Sequence, residues 1–409
     1  MRWCSLAVMN RRRFLTMASS TAGSLAAQSA GANRRYDLLI RNGEVLDPSR
    51  SLKGKADVAV QDGKIAAIEP GGIAADRGLD VIDATGLTVT PGLVDLHTHC
   101  YFGGTGLGIE ADPIAARSGV TTWVDAGSFA WDEAVGFRRF IVEPARARIY
   151  GFVYLYPNDR NPDNDVLKYV RGGLDRTGKT AVDNRDIILG IKLQVGANMN
   201  GRYSLDFLKM ARETCDKYKL PLMAHISFAP PETQEVMELM RAGDVVTHAY
   251  NTHTLGIVDK DGRLKAGVKE ARARGVWFDL GHGLGSFNFA AARECLDAGF
   301  VVDTISTDIY NLNVNGPVYD MTTTMTKMLH LGMSWEDVVL RTTANAARIV
   351  NRLPGMGTLQ VGGPADLALL QMEEGEFRLV DSQRNVETAK RRIVCRGTIC
   401  RGQRMRAPV

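Results

Sequence analysis

Eight short apolar runs recur between residues 91 and 310 with helical stretches between them, and this alternation constrains the fold more than any other feature. The runs are "LVDLHTH", "VTTWVDAG", "RIYGFVYL", "IILGIKLQV", "LPLMAHIS", "DVVTHAYN", "VWFDLGHG" and "VVDTISTDIY". Runs this rich in Val, Ile, Leu and Phe suit a parallel sheet covered by helices on both faces. Eight β/α units over about 250 residues give an α/β fold with a (β/α)8 barrel of the TIM type. An open doubly wound sheet fits less well, because no Gly-rich phosphate loop follows the first run.

A different texture brackets these units. Residues 36–90 read as short alternating strands, with turn signals at Asn42-Gly43 and Asp62-Gly63 that predict hairpins. The same texture returns in "GTLQVGGPADLALLQ", "GEFRLV" and "RRIVCRGTICRG". The expectation is a small β-sandwich domain built from both chain ends, residues 33–90 and 353–409, around a barrel of residues 91–352.

Residues 1–32 stand apart. Arg11 to Arg13 lead into Phe14-Leu15 and a weakly apolar stretch, and Ala30-Gly31-Ala32 offers a small-residue cleavage point before Asn33. The pattern resembles a twin-arginine export signal, which predicts a periplasmic or otherwise exported protein. That segment holds four arginines and no acid, so the rest of the chain balances 46 basic against 46 acidic residues. A neutral remainder gives nucleic acid no footprint, and no later run is long enough to span a membrane. Cys4 would leave with the signal, and the odd remainder of five argues against a disulfide framework. Cys100 is expected in the core.

The polar residues fall in register. His97 and His99 end the first run, Lys192 lies in the fourth, His225 and His248 near the ends of the fifth and sixth, and Asp308 near the end of the eighth. Alternate residues of a strand share a face, so His97 and His99 project side by side, a geometry that suits one metal ion. Barrel sites form at the carboxyl ends of the strands, so residues more than 200 positions apart converge there. Lys192 in "ILGIKLQVG" would bury an ammonium at a cost. It either snorkels, pairs with an acid such as Asp308, forms Schiff bases, or reacts with carbon dioxide to give an anionic carbamate that bridges two cations. The neighbouring histidines favour the carbamate.

At "PGLVDLHTH", "GIKL", "AHIS", "VTHAY", "STDIY" and "GTLQVGGPADLALL" the chain resembles the amidohydrolase superfamily of metal-dependent hydrolases. It is most similar to the dihydroorotase-like amidohydrolase/deacetylase branch, through "FDLGHGLGSFNF" and "STDIYNLNVNGPVYDMTTTMTKML". The resemblance implies two divalent metal ions, usually zinc. His97, His99 and Asp308 would hold one and His225 and His248 the other, with carboxylated Lys192 bridging both. It implies a hydroxide shared by the ions as nucleophile, with Asp308 as general base and then acid.

Dihydroorotases carry an arginine two residues after the second histidine, where this chain has Tyr101. The expected reaction is therefore deacylation: hydrolysis of an acyl ester or amide of a small carboxylic acid, such as an O-acetyl α-hydroxy acid. A cyclic-amide hydrolase of the dihydroorotase or hydantoinase kind and a non-catalytic metal-binding barrel are the alternatives. His282 and Gly283, at the mouth of the seventh run, are candidate substrate contacts through exposed amides, and Tyr250 and Asn251 candidate pocket residues. Gln194 stands where relatives have a basic residue. His253 reads as a surface loop residue and His330 as a helix C-terminal one. The partner is a small acylated or cyclic-amide substrate, and a homo-oligomer is left open.

Overall fold

The computed structural model describes residues 35–156 and 166–406. The export signal read in residues 1–32 lies outside the described residues. Seven strands form one parallel sheet in chain order: β6 (Leu93–Thr98), β7 (Val120–Ala126), β8 (Arg148–Tyr154), β9 (Ile188–Val195), β10 (Leu222–Ile226), β11 (Val245–Thr247) and β12 (Trp277–Asp279). β6 and β7 are buried along their whole length, as a parallel sheet covered on both faces requires.

The eighth run is not a regular strand. Residues 302–309 touch both edges of the sheet through single parallel bridges, Asp279 with Thr304 and Thr98 with Ile309, and the sheet curls between them. Side chains replace the missing ladder. Asp95 of β6 accepts from Thr307 N at 3.0 Å and Thr307 Oγ1 at 2.6 Å, while Asp279 of β12 accepts from the hydroxyls of Thr304 and Ser306. Asp308 then turns out of the strand with φ at 46°.

The second sheet takes its strands from both chain ends. In the order of their pairing these are β15 (Gln403–Arg404), β14 (Val386–Cys400), β13 (Leu367–Val380), β5 (Thr88–Pro91), β1 (Tyr36–Asp47), β2 (Leu52–Gln61) and β3 (Lys64–Glu69), with β4 (Gly78–Asp83) also on β1. The two ends join where Leu367 pairs with Pro91. Leu38, Ile40, Val58, Val89, Leu367 and Ile399 share one core beneath it. The expected sandwich is thus hydrogen-bonded as one continuous eight-stranded sheet.

Of the two expected hairpins, Asp62-Gly63 turns β2 into β3 with both residues at positive φ, as a type I′ turn demands. Asn42-Gly43 does not turn the chain. It makes a bulge within β1, because Asn42 N is taken by Asp57 Oδ1 at 2.8 Å and Gly43 packs directly against Val89.

The β13–β14 arm leaves this sheet and lies on the α/β unit. Ile393 N bonds Thr326 Oγ1 on the helix Met321–His330, and the arm's turn at Asp381 accepts from Asn288 Nδ2 and Phe289 N. All five described cysteines are free, and Cys100 is buried. No helix among the described residues is long and apolar enough to cross a membrane.

Candidate metal centre and pocket

The carboxyl ends of the parallel strands bring the predicted polar set together. His97 closes β6, and its Nε2 lies 3.3 Å from Asp308 Oδ1; His99 Nε2 lies 3.1 Å from the same oxygen. The His97 and His248 rings are 5.0 Å apart, and His225 and His248 are 4.2 Å apart. Lys192 Nζ stands 3.0 Å from His97 Nε2. Ligand atoms of His97, His248 and Asp308 all lie within 4.8 Å of one another.

The far side of three of the four rings is held by the fold. His97 Nδ1 meets Thr247 Oγ1 at 2.8 Å, His99 Nδ1 meets Ser128 Oγ at 2.8 Å, and His248 Nδ1 meets Gly281 O at 2.6 Å. A proton on Nδ1 of His248 leaves Nε2 with a free lone pair. His225 Nε2 and His248 Nε2 are buried with no hydrogen-bond partner. Buried polar atoms are rarely left so, because each loses its solvation without return. Burial lowers the imidazole pKa of His97 and His225 well below the usual range and that of His248 to about 4, which keeps the rings neutral. Neutral, unprotonated nitrogens beside a carboxylate fit a divalent cation. Lys192 is almost wholly buried, which lowers its ammonium to about 8.

Backbone strain collects here. His248 and Asp308 adopt left-handed conformations, with φ of 72° and 46°, which non-glycine residues seldom occupy without a local cause. Gly283 backs the carboxylate so closely that a Cβ there would stand 2.4 Å from Asp308 Oδ2.

The four histidines, Lys192 and Asp308 open onto a cavity of about 350 Å³. Tyr154, Gln194, Asn198, Ser286 and Tyr310 supply further polar groups, and Leu107, Met199, Leu284 and Leu312 supply apolar surface. No arginine lines it among the described residues.

The four expected substrate contacts lie elsewhere. Tyr250 is fully buried, its hydroxyl donating to Phe300 O at 2.9 Å and accepting from Val302 N at 3.1 Å. Asn251 is buried and donates to His248 O at 2.6 Å. His282 is also buried, its ring stacked on Phe287. The amides expected to be free are engaged: His282 N bonds Ser306 O and Gly283 N bonds Thr307 O. These two backbone bonds therefore use the donors that an anion would have needed. His253, in contrast, lines the cavity, stacked on Phe228 at 4.3 Å. His330 ends its helix and pairs with Glu387.

Sequence reasoning missed Asp279, which accepts from Thr247 Oγ1 at 2.7 Å and so anchors the group behind His97. A fully buried acid within "VWFDLG" was the available signal.

A model of the amidohydrolase family matches residues 88–405. The protein named Deacetylase Atu3266 of Agrobacterium fabrum is 34% identical over 335 residues, 81% of either chain. A protein named deacetylase from Enterococcus faecalis is 32% identical over 371 residues, 90% of this chain and 98% of its own. Among solved structures, one titled an adenine deaminase superposes with a TM-score of 0.81 at 31% identity, covering 90% of this chain and 99% of that one. One titled a dihydroorotase gives 0.79 at 31%, over 90% and 98%.

Proposed function

Because the chain belongs to the amidohydrolase family and is a hydrolytic enzyme, we propose that it removes an acyl group from a small carboxylic acid, as an ester or amide such as an O-acetyl α-hydroxy acid. The observation that carries this reading is the meeting of four imidazoles, Lys192 and Asp308 at one cavity, with two buried Nε2 atoms unpartnered. In this reading the curled sheet and residues 302–309 make a (β/α)8 barrel, whose carboxyl-end rim carries the reaction.

His97, His99 and Asp308 would hold one divalent ion and His225 and His248 a second, with Lys192 as a carbamate between them. Mixed nitrogen and oxygen donors suit zinc. A divalent metal held by these residues would supply a nucleophile at neutral pH and polarise the scissile carbonyl. Asp308 takes up the proton released as the carbonyl is attacked, then returns one to the leaving oxygen or nitrogen. Gln194, Asn198 and Tyr154 orient the substrate by neutral hydrogen bonds, and the leucines at the cavity exclude water. The twin-arginine signal would deliver the enzyme to the periplasm already folded.

The names of the relatives that match along most of the chain favour deacylation. Ring opening of a cyclic amide is the second reading, favoured by the structure titled a dihydroorotase. Protein purified without chelators should be assayed with O-acetyl α-hydroxy acids, N-acetyl amino acids, dihydroorotate and hydantoin. Release of acetate supports the proposal, and ring opening alone replaces it with the second reading.

A further inference from the structure

Lys327, on the helix Met321–His330, is fully buried and does not line the cavity. Its Nζ lies 2.7 Å from His282 Nε2 and donates to Pro317 O at 2.8 Å, with the Phe287 ring 5.8 Å away. No carboxylate among the described residues pairs with it directly; Asp381 and Asp320 act on it at longer range. Burial lowers this ammonium to about 7. A buried amine without a carboxylate is costly, and a hydrophobic side chain would pack there more cheaply.

The contacts of His282 show what the amine secures. His282 Nδ1 stands 2.8 Å from Gly283 O, so Nδ1 carries the proton and Nε2 is the acceptor that faces Lys327. Gly283, at φ +57°, is the surface against which Asp308 Oδ2 rests. Its carbonyl also accepts from Ser382 Oγ at 3.0 Å, at the turn of the β13–β14 arm.

We propose that Lys327, acting through His282, is a positioning residue that clamps the Gly283 backbone against Asp308 and so fixes where that carboxylate presents its oxygens. The inference rests on Asp308 being a metal ligand, as proposed above, and only its kcat arm on Asp308 as the proton acceptor.

The test compares Lys327→Met, His282→Leu and His282→Gln with the wild type, each loaded with cobalt(II). His282→Gln keeps an amide oxygen that can accept from Lys327, whereas His282→Leu keeps none. Transfer of cobalt to a chelator should be about tenfold faster in Lys327→Met and His282→Leu, and close to wild type in His282→Gln. On any acyl ester the wild type cleaves, kcat should fall in the same order with KM little changed. Release from Lys327→Met and His282→Leu at the wild-type rate overturns the proposal. If Lys327→Met does not fold, equal release from the two His282 variants overturns it alone. The metal-release arm needs no substrate, so a wild type that binds cobalt but deacylates nothing defeats the functional reading and leaves this one standing.

Discussion

Thr247 donates its hydroxyl proton to Asp279 at 2.7 Å and faces His97 Nδ1 at 2.8 Å, so it can only accept from that ring. His97 is thereby held as the Nδ1–H tautomer, its Nε2 lone pair turned toward Lys192 and Asp308. Thr247→Val keeps the shape and removes both bonds. Metal affinity should fall about 10-fold to 100-fold, with a loss of stability of about 1–3 kcal/mol from the orphaned buried partners. Titration of the apoprotein with zinc, beside a denaturant melt, checks both; an unchanged dissociation constant would show that other contacts orient His97.

Asp308→Asn retains an oxygen ligand but accepts no proton. Turnover of an acetyl ester should fall about 10²-fold to 10⁴-fold, while protein assembled in excess metal stays loaded. Wild-type rates would remove Asp308 from proton transfer.

For Lys192→Ala, elemental analysis is the decisive reading. A bridged centre gives about two ions per wild-type chain, falling to one or none in the variant. Equal stoichiometry in both proteins means that Lys192 bridges nothing.

Tyr250 tests the distinction between pocket and core. Its hydroxyl satisfies Phe300 O and Val302 N through two buried hydrogen bonds. Tyr250→Phe should therefore cost about 1–3 kcal/mol of stability and leave kcat/KM as it was. A change in KM at unchanged stability would return Tyr250 to the substrate.

What the sequence disclosed follows from periodicity. Strand alternation makes His97 legible, and apolar runs ending in His225, His248 and Asp308 place those residues on one rim before any coordinates exist. Tyr250 was misplaced because spacing from a ligand does not say where the backbone goes next. His248 has a left-handed φ that swings the following residues into the core. The Asn42-Gly43 bulge was hidden for a related reason, since a dipeptide that favours positive φ serves a bulge as readily as a turn. Lys327 sits in a helix of ordinary polarity, "MTTTMTKMLH", where a lysine usually reaches solvent. Only the packed arm over it reveals that this one does not.

The pairing of β5 with β13 joins segments that are made at opposite ends of synthesis. A ribosome emits β1 to β5 first, then the whole α/β unit, and only afterwards the strands that complete the sheet. Contacts this distant along the chain form late. The hairpin that arrives last carries Asp381 and Ser382 to residues 282–289, behind Asp308. The histidines, Asp308 and Gly283 are thus all made before the hairpin that braces Gly283 from behind.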